Sequence, residues 1–422
     1  MIPTPSNASS SQVHGDAPCI VCNRTTVEEF LDLGSTALAN KFLSEAELDK
    51  PEPKFPLKVG FCHTCGHVQL TEAVPPHAMF QDYLYVSSAS DTLKRHLYDL
   101  SDVLVKRRGL GPNDLVVDIG CNDGTLLSGF ARHGVRTLGV DPAENLAALT
   151  ANNKIDRYVG FFNSKTAHDI VDRWGRASLI TATNTFPHIP ELQDFVEGIN
   201  IALAPGGAFV IEAHYLVDML EQGAFDTVYH EHISYWALGP MMRLFQDNGM
   251  QVVDAERLPL HHGQLRVTVQ RPGEAAPTRR VAEILEMERN LGIDQFQTYT
   301  RFAEKTQGIK NAVRQTLRDL ATQGKRVVGY GAPAKGNTLL SFLELGPSLI
   351  PYIADRSALK QGRYTPGTHI PVVAPSRLLE DQPDYVLVLA WNFLEEVMEQ
   401  QVEYRNRGGK FIVPVPDVKI LT

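Results

Sequence analysis

Four of the five cysteines in this 422-residue chain form two Cys-x-x-Cys pairs, Cys19/Cys22 and Cys62/Cys65, and only Cys121 stands outside the pattern. Each pair can form a knuckle that aims two thiolates at one cation, and two knuckles complete a tetrahedral zinc shell. Four thiolates leave no coordination position open for water, so such a metal is structural and the chemistry lies elsewhere. The competing reading, two disulfides, requires an oxidising compartment and is more usual in smaller, cysteine-denser domains.

Three further clusters carry chemistry. In Val116-Val-Asp118-Ile-Gly120-Cys-Asn122-Asp123-Gly124 a strand runs into a glycine turn and then a helix from near Thr125, which turns backbone N–H groups toward a ligand. Asp141 follows about twenty residues later, after the next strand, where a carboxylate can hold the two hydroxyls of a ribose. A pyrophosphate-binding turn reads Gly-x-Gly-x-x-Gly. Asn122 and Asp123 depart from it, and an acid there repels phosphate but suits S-adenosylmethionine, which carries an ammonium and a sulfonium. The alternative is a plain βα turn of a doubly wound sheet.

The densest titratable cluster is Tyr229-His230-Glu231-His232-Ile-Ser234-Tyr235. A histidine beside a carboxylate is a candidate general base. Simple alternation groups Tyr229 with Glu231 and His230 with His232, and only a turn or bulge brings His232 to the site of Glu231. A metal reading of the two histidines lacks a third ligand and the helical His-Glu-x-x-His spacing, and a surface loop of satisfied histidines is the plainer alternative. Asn184 and His188 follow a strand end, where ligands of open α/β sheets bind. In the last cluster, Val328-Gly-Tyr330-Gly331-Ala332-Pro-Ala-Lys335-Gly336-Asn337, a glycine turn holds a lysine and no acid. Backbone donors, a helix N-terminus and an ammonium make a diphosphate cradle, which Asp355, Lys360, Gln361 and Arg363 are placed to complete. An NAD site is the rival, without its third glycine, and a bland βα turn is the other.

The elements that position these residues are legible in the periodicity. Strand-like apolar runs at Leu115–Ile119, Thr137–Asp141, Ser178–Thr183 and Ala208–Glu212 alternate with helical stretches, which predicts βαβ units and a parallel sheet. A second α/β unit begins near Lys325 and runs through Tyr352–Asp355 and Tyr385–Ala390 to Phe411. The predicted fold class is therefore α/β, with a small zinc-ribbon-like module and two Rossmann-like domains with parallel sheets. The expected division is a tail over 1–16, a zinc module over 17–75, a cofactor domain over 76–274, a helical connector over 275–323 and a second α/β domain over 324–422. With 43% hydrophobic and 21% charged residues the composition is that of a globular protein. Its net charge of −9 argues against nucleic acid as a partner. The polar start, Met1–Ala17, is neither signal peptide nor anchor, and no apolar run approaches the roughly 18 residues of a membrane span. A cytoplasmic enzyme, monomeric or weakly self-associating, is expected.

Taken together, the two Cys-x-x-Cys pairs, the Asp-Ile-Gly-Cys-Asn-Asp-Gly turn, Tyr229-x-Glu231-His232-x-Ser234-Tyr235 and the Gly-Tyr-Gly-Ala-Pro-Ala-Lys-Gly-Asn loop resemble the deoxysugar C-methyltransferases, which make branched sugars for antibiotics and bacterial polysaccharides. The likeness spans Cys19 to Val415. It implies one structural zinc, S-adenosylmethionine in the middle domain and a nucleotide-linked 4-keto-6-deoxysugar gripped by the C-terminal domain. It also implies His232 as base, Tyr229 and Glu231 at the reacting centre, and a contribution from Tyr83. Tyr229, Tyr83 or His188 would then stabilise an enolate at carbon 4 while carbon 3 takes the methyl. Val86 stands where some aminosugar-acting relatives have histidine, and Leu260-His-His-Gly-Gln-Leu-Arg266 replaces a His-Gly-Gly-Ser-Leu-Arg pattern, so the substituent on the reacting carbon stays open. The competing functions are an oxygen- or nitrogen-directed methyltransferase and a zinc-ribbon binding module.

Overall fold

A computed structural model of the protein describes residues 18–75, 77–80, 86–89, 91–152, 155–259 and 263–422. Tyr83 and Leu260–His262 lie outside the described residues. The N-terminal module is an antiparallel meander of β1 (Val27–Thr36), β2 (Phe55–Cys62) and β3 (Val68–Leu70). It carries the two cysteine turns at its ends.

The middle domain contains β4 (Leu115–Ile119), β5 (Arg136–Asp141), β6 (Asp156–Val159), β7 (Ala177–Thr183) and β8 (Leu203–His214). Next in the chain, β9 (Ser234–Tyr235) leaves this sheet, and β10 (Gln251–Leu258) and β11 (Gln264–Gln270) return to it. The strand order is β10-β11-β8-β7-β4-β5-β6, and β4 is buried along its whole length, as a central strand covered on both faces must be. β4 to β8 pair in parallel, whereas β11 runs antiparallel to both β8 and β10. The sheet is therefore mixed. The order reverses at β4, with β5 on one side and β7 on the other, which opens a crevice at their carboxyl ends. Helix α1 (Asp91–Arg108) buries Leu93, Leu97, Leu100 and Leu104 along one face, and α2 (Thr125–Ala131) follows the glycine turn.

β9 becomes the fourth strand of the zinc module's sheet, with Tyr235 opposite Val68 and Ser234 opposite Gln69. The charged connector forms α3 (Arg279–Asn290) and α4 (Phe296–Thr322), and α4 lays Tyr299 against Phe30 and Phe61 of the module, at ring separations of 5.1 and 4.9 Å.

The third sheet comprises β12 (Val327–Tyr330), β13 (Ile353–Ala354), β14 (Val372–Val373), β15 (Tyr385–Val388), β16 (Lys410–Val413) and β17 (Lys419–Leu421), in the order β14-β13-β12-β15-β16-β17. Only β17 is antiparallel. Helix α5 (Ala334–Phe342) starts from its glycine turn. The zinc module is tied to this domain too: Leu43 and Tyr364 exchange backbone bonds, and the Glu52 carboxylate accepts from the Gly367 N–H and from His369 Nε2. Among the described residues no helix is long and apolar enough to cross a membrane.

Candidate active site

The two Cys-x-x-Cys turns close alike. The Asn23 N–H donates to the Cys19 carbonyl and the Gly66 N–H to the Cys62 carbonyl, each at 2.8 Å, with Asn23 and Gly66 both at positive φ. Sulfur separations are 3.6 Å for Cys19–Cys65 and for Cys22–Cys62, and all four sulfurs lie within 4.8 Å of one another. Zinc held by four tetrahedral sulfurs at about 2.3 Å needs S···S distances of about 3.8 Å. A disulfide needs about 2.05 Å. The cysteines are unpaired and fit a zinc ion, and they are the one metal-competent cluster among the described residues.

The glycine turn after β4 depends on backbone freedom at Gly120. Its φ is +73°, and a Cβ there would meet Thr185 Oγ1 at 2.1 Å. Asp141, at the end of β5, is buried and anchored: its carboxylate accepts from the N–H groups of Asn122 and Ala143, both at 2.8 Å, and pairs with Arg157 at 3.0 Å. Burial raises its pKa, with the two amides and Arg157 opposing. Arg157 also donates to the Asn122 carbonyl at 2.8 Å, so the ion pair grips Asn122, at φ +51°, from both sides. Asp118 lies beside this turn, bonded to Thr181 Oγ1 at 2.7 Å, and burial pushes it up to about 7.

Asp123 takes a different place from the cofactor contact expected of it. One carboxylate oxygen accepts from the Thr125 N–H and hydroxyl at the start of α2, and the other accepts from the Ser88 N–H at 2.9 Å. Asn122 Oδ1 accepts from the Ser87 N–H in the same way. The polar pair therefore fastens the segment before α1 over the turn, and neither Asp123 nor Gly124 reaches the cavity wall. Asn184, at φ +55°, does line the cavity and receives the Gln264 amide at 2.9 Å.

The Tyr229–His232 segment is a turn closed by the His232 N–H on the Tyr229 carbonyl at 2.8 Å, so strand alternation does not apply. Tyr229 and His232 meet, with the hydroxyl 2.8 Å from Nε2. His232 Nδ1 lies 2.8 Å from the Thr227 carbonyl, which can only accept, so the proton sits on Nδ1 and the Nε2 lone pair receives the Tyr229 hydroxyl. Burial, with His188 and His214 beside it at ring separations of 5.1 Å each, holds His232 well below the ordinary histidine pKa. Glu231 is buried and accepts from the Asn40 amide of the zinc module at 2.7 Å, so it does not orient His232. His230 turns to the carbonyls of Phe55 and Pro56 in that module. His188 donates from Nδ1 to the Glu231 carbonyl, and a neutral ring then has no second N–H to give.

In the third domain several predicted contacts prove to be scaffold. Tyr330 is a core residue with its hydroxyl between Gln400 and Gln401. The Gly331 N–H is spent on the Ala354 carbonyl and the Ala332 N–H on Asp355, whose other oxygen takes the Ser357 N–H. Asn337 is buried and donates to the Ala39 carbonyl, joining this domain to the zinc module. Gly336 and Arg363 are also absent from the cavity wall, and the Arg363–Tyr364 segment pairs with Leu43. Lys335 and Lys360 do reach the cavity. Burial lowers the pKa of both, and the Lys335 ammonium sits 4.3 Å above the Trp391 ring.

One cavity of about 920 Å³ runs from Gly120, Asp141 and Asn184 past His188, His232 and Tyr229 to Lys335, Lys360 and Trp391. The zinc module adds Asn40 and Phe42. Asn40, Arg157, His214 and Trp391 were not singled out from sequence, and for Asn40 and Trp391 no local pattern marks them, since both act across domain boundaries.

A seven-stranded sheet of this order, with a glycine turn and an acidic strand end at its switch point, is the architecture of an S-adenosylmethionine-dependent methyltransferase. The chain matches a zinc binding domain family over residues 19–80, a methyltransferase domain family over 93–255 and a C-methyltransferase C-terminal domain family over 259–416. It is 37% identical to the C-methyltransferase NovU of Streptomyces niveus over 406 residues, 96% of either chain, and it belongs to the C-methyltransferase family. It is also 26% identical to a ubiquinone biosynthesis O-methyltransferase of a Methylobacterium species, over 37% of this chain and 68% of that one. A solved magnesium protoporphyrin IX methyltransferase from Synechocystis PCC 6803 is similar at 13% identity, covering 42% of this chain and 79% of that one with a TM-score of 0.32.

Proposed function

We propose that this S-adenosylmethionine-dependent C-methyltransferase acts on a nucleotide-linked 4-keto-6-deoxysugar and methylates carbon 3 through an enolate. The observation that carries this reading is the single cavity with a nucleoside-type site at one end, two half-buried lysines at the other and a neutral histidine between them. Gly120, Asn122, Asp118, Asp141 and Asn184 would hold the cofactor, which when bound supplies an electrophilic methyl group on a sulfonium. Lys335 and Lys360, with the first turn of α5, suit a diphosphate.

A ketone at carbon 4 acidifies the hydrogen on carbon 3. His232 takes that proton on Nε2, the nitrogen left with a lone pair by the Thr227 carbonyl. As the proton arrives, the Tyr229 hydroxyl is released from Nε2 and turns to the enolate oxygen, where one well-placed donor stabilises the transition state by about 3 kcal/mol. Tyr229 suits this role better than His188, whose N–H is already committed. Glu231 and Asn40 hold the turn against the zinc module, and the two ligand ends of the cavity bring the reacting carbons together.

The test is solvent deuterium uptake at carbon 3 of the ketosugar with S-adenosylhomocysteine bound. The wild-type protein should exchange, and His232→Ala should lose about 10²- to 10⁴-fold in exchange and methyl transfer while both ligands still bind. Methyl transfer without exchange in the wild type would point to an oxygen or nitrogen acceptor and end this proposal.

A further inference from the structure

The ring of His232 is set by a carbonyl that the middle domain does not hold in place alone. Thr227 is the last residue of a short turn, Phe225–Thr227, seated on the C-terminal domain. Phe225 packs edge-on against Phe342 of α5 at 5.1 Å between ring centroids. Asp226, between them in sequence and 0% exposed, accepts a 2.6 Å hydrogen bond on Oδ2 from Trp391 Nε1, across the domain boundary. Its Oδ1 has no hydrogen-bond partner among the described residues. The Lys335 ammonium offsets part of the burial of this charge, and with Trp391 as its one side-chain donor the carboxylate still costs free energy that an apolar residue of similar size would not.

What the carboxylate accomplishes is visible one residue further on. A neutral imidazole has two tautomers, and only the one protonated on Nδ1 leaves Nε2 free to take a proton. The Thr227 carbonyl selects that tautomer at 2.8 Å. The position of the carbonyl follows from the turn, and the turn is fastened by the Asp226–Trp391 bond. On its other face Trp391 forms part of the cavity wall beneath Lys335. The wall that meets a ligand in the C-terminal domain and the carbonyl that orients the histidine are therefore joined by one side-chain hydrogen bond.

We propose that Asp226 is a positioning residue for His232: by gripping Trp391 across the domain boundary it presents the Thr227 carbonyl to Nδ1 and couples the C-terminal ligand wall to the base. The inference rests on the reading of His232 as base only for its effect on rate; the tautomer itself is a property of the free protein.

The experiment uses the full chain labelled with ¹⁵N-histidine, with the His232→Ala spectrum identifying the His232 signals. The wild type should show the Nδ1–H tautomer. Trp391→Phe, which keeps a ring under Lys335 but removes the donor, and Asp226→Ala, which removes the acceptor, should both convert His232 to a tautomer mixture. Both should lower kcat by about 100-fold, the order expected for a misplacement near 1 Å, with S-adenosylhomocysteine affinity unchanged. Asp226→Asn retains an acceptor oxygen and should keep the wild-type signature and most of the rate. If Asp226→Ala fails to fold, Trp391→Phe decides alone. A folded Trp391→Phe protein with wild-type His232 signals would overturn the proposal. Should His232 prove not to be the base, His232→Ala would turn over normally, and the tautomer comparison would still decide the role of Asp226.

Discussion

Asp141 offers a test that separates cofactor binding from folding. Its carboxylate holds two backbone amides at 2.8 Å and pairs with Arg157, whose side chain is 6% exposed. Asp141→Ala leaves that guanidinium buried without its partner, and breaking a buried pair from one side costs about 3–5 kcal/mol. If the carboxylate also holds the ribose, binding loses a further charge-assisted contact of about 1.5–3 kcal/mol, or about 10- to 150-fold in Kd. The two effects come apart in the double variant Asp141→Ala/Arg157→Met, which removes the stranded charge and fills its space with an apolar chain. Urea unfolding should show the single variant losing several kcal/mol and the double variant recovering most of it. Calorimetry with S-adenosylhomocysteine should show weak binding by both. If the double variant binds like the wild type, Asp141 serves only to neutralise Arg157 and the ribose contact is wrong. If the single variant is as stable as the wild type, the accounting of the ion pair fails.

Two other outcomes follow from the geometry. Metal analysis should return one zinc per chain, and Cys62→Ser should lower the melting temperature, because binding at such a site is folding free energy. Since β3 carries β9, which begins two residues after His232, the same variant should also lower kcat while S-adenosylhomocysteine still binds; a folded, metal-free, fully active protein would contradict this. The pH profile should divide by site. Asp118, pushed up to about 7 by burial, loses its charge as pH falls through that value, so KM for the cationic cofactor should rise below about pH 7. His232 is held neutral by burial and by His188 and His214, with Tyr229 on Nε2, so it protonates only well below the usual 6.5 and kcat should hold until then. An acid limb in kcat at or above 6.5 would refute the assignment.

Local chemistry was legible in the sequence and long-range assembly was not, for a physical reason. The central strands announce themselves because a strand covered on both faces is a near-continuous apolar run, as Leu115–Ile119, broken by Asp118 alone, and Val327–Tyr330 are. The cysteine knuckles and the Gly120 turn depend on residues a few positions apart. Asp123 misled because an acid after a glycine turn has two uses, facing a cationic ligand or capping the next helix, and residue type alone does not separate them. The Tyr229–His232 turn was harder still. His230, Glu231 and His232 each find a different partner, in the strand β2 region, at Asn40 and at the Thr227 carbonyl. Two of those partners lie more than 150 residues away, where periodicity carries no information. The zinc module is thus more than a stabilising appendage: it supplies the strand that receives β9, the carbonyls that turn His230 aside and the amide that fixes Glu231, leaving His232 alone of the three aimed at the cavity. A cysteine cluster that takes no part in the cavity wall thus bears, through the sheet it closes, on which histidine of the turn lines that cavity.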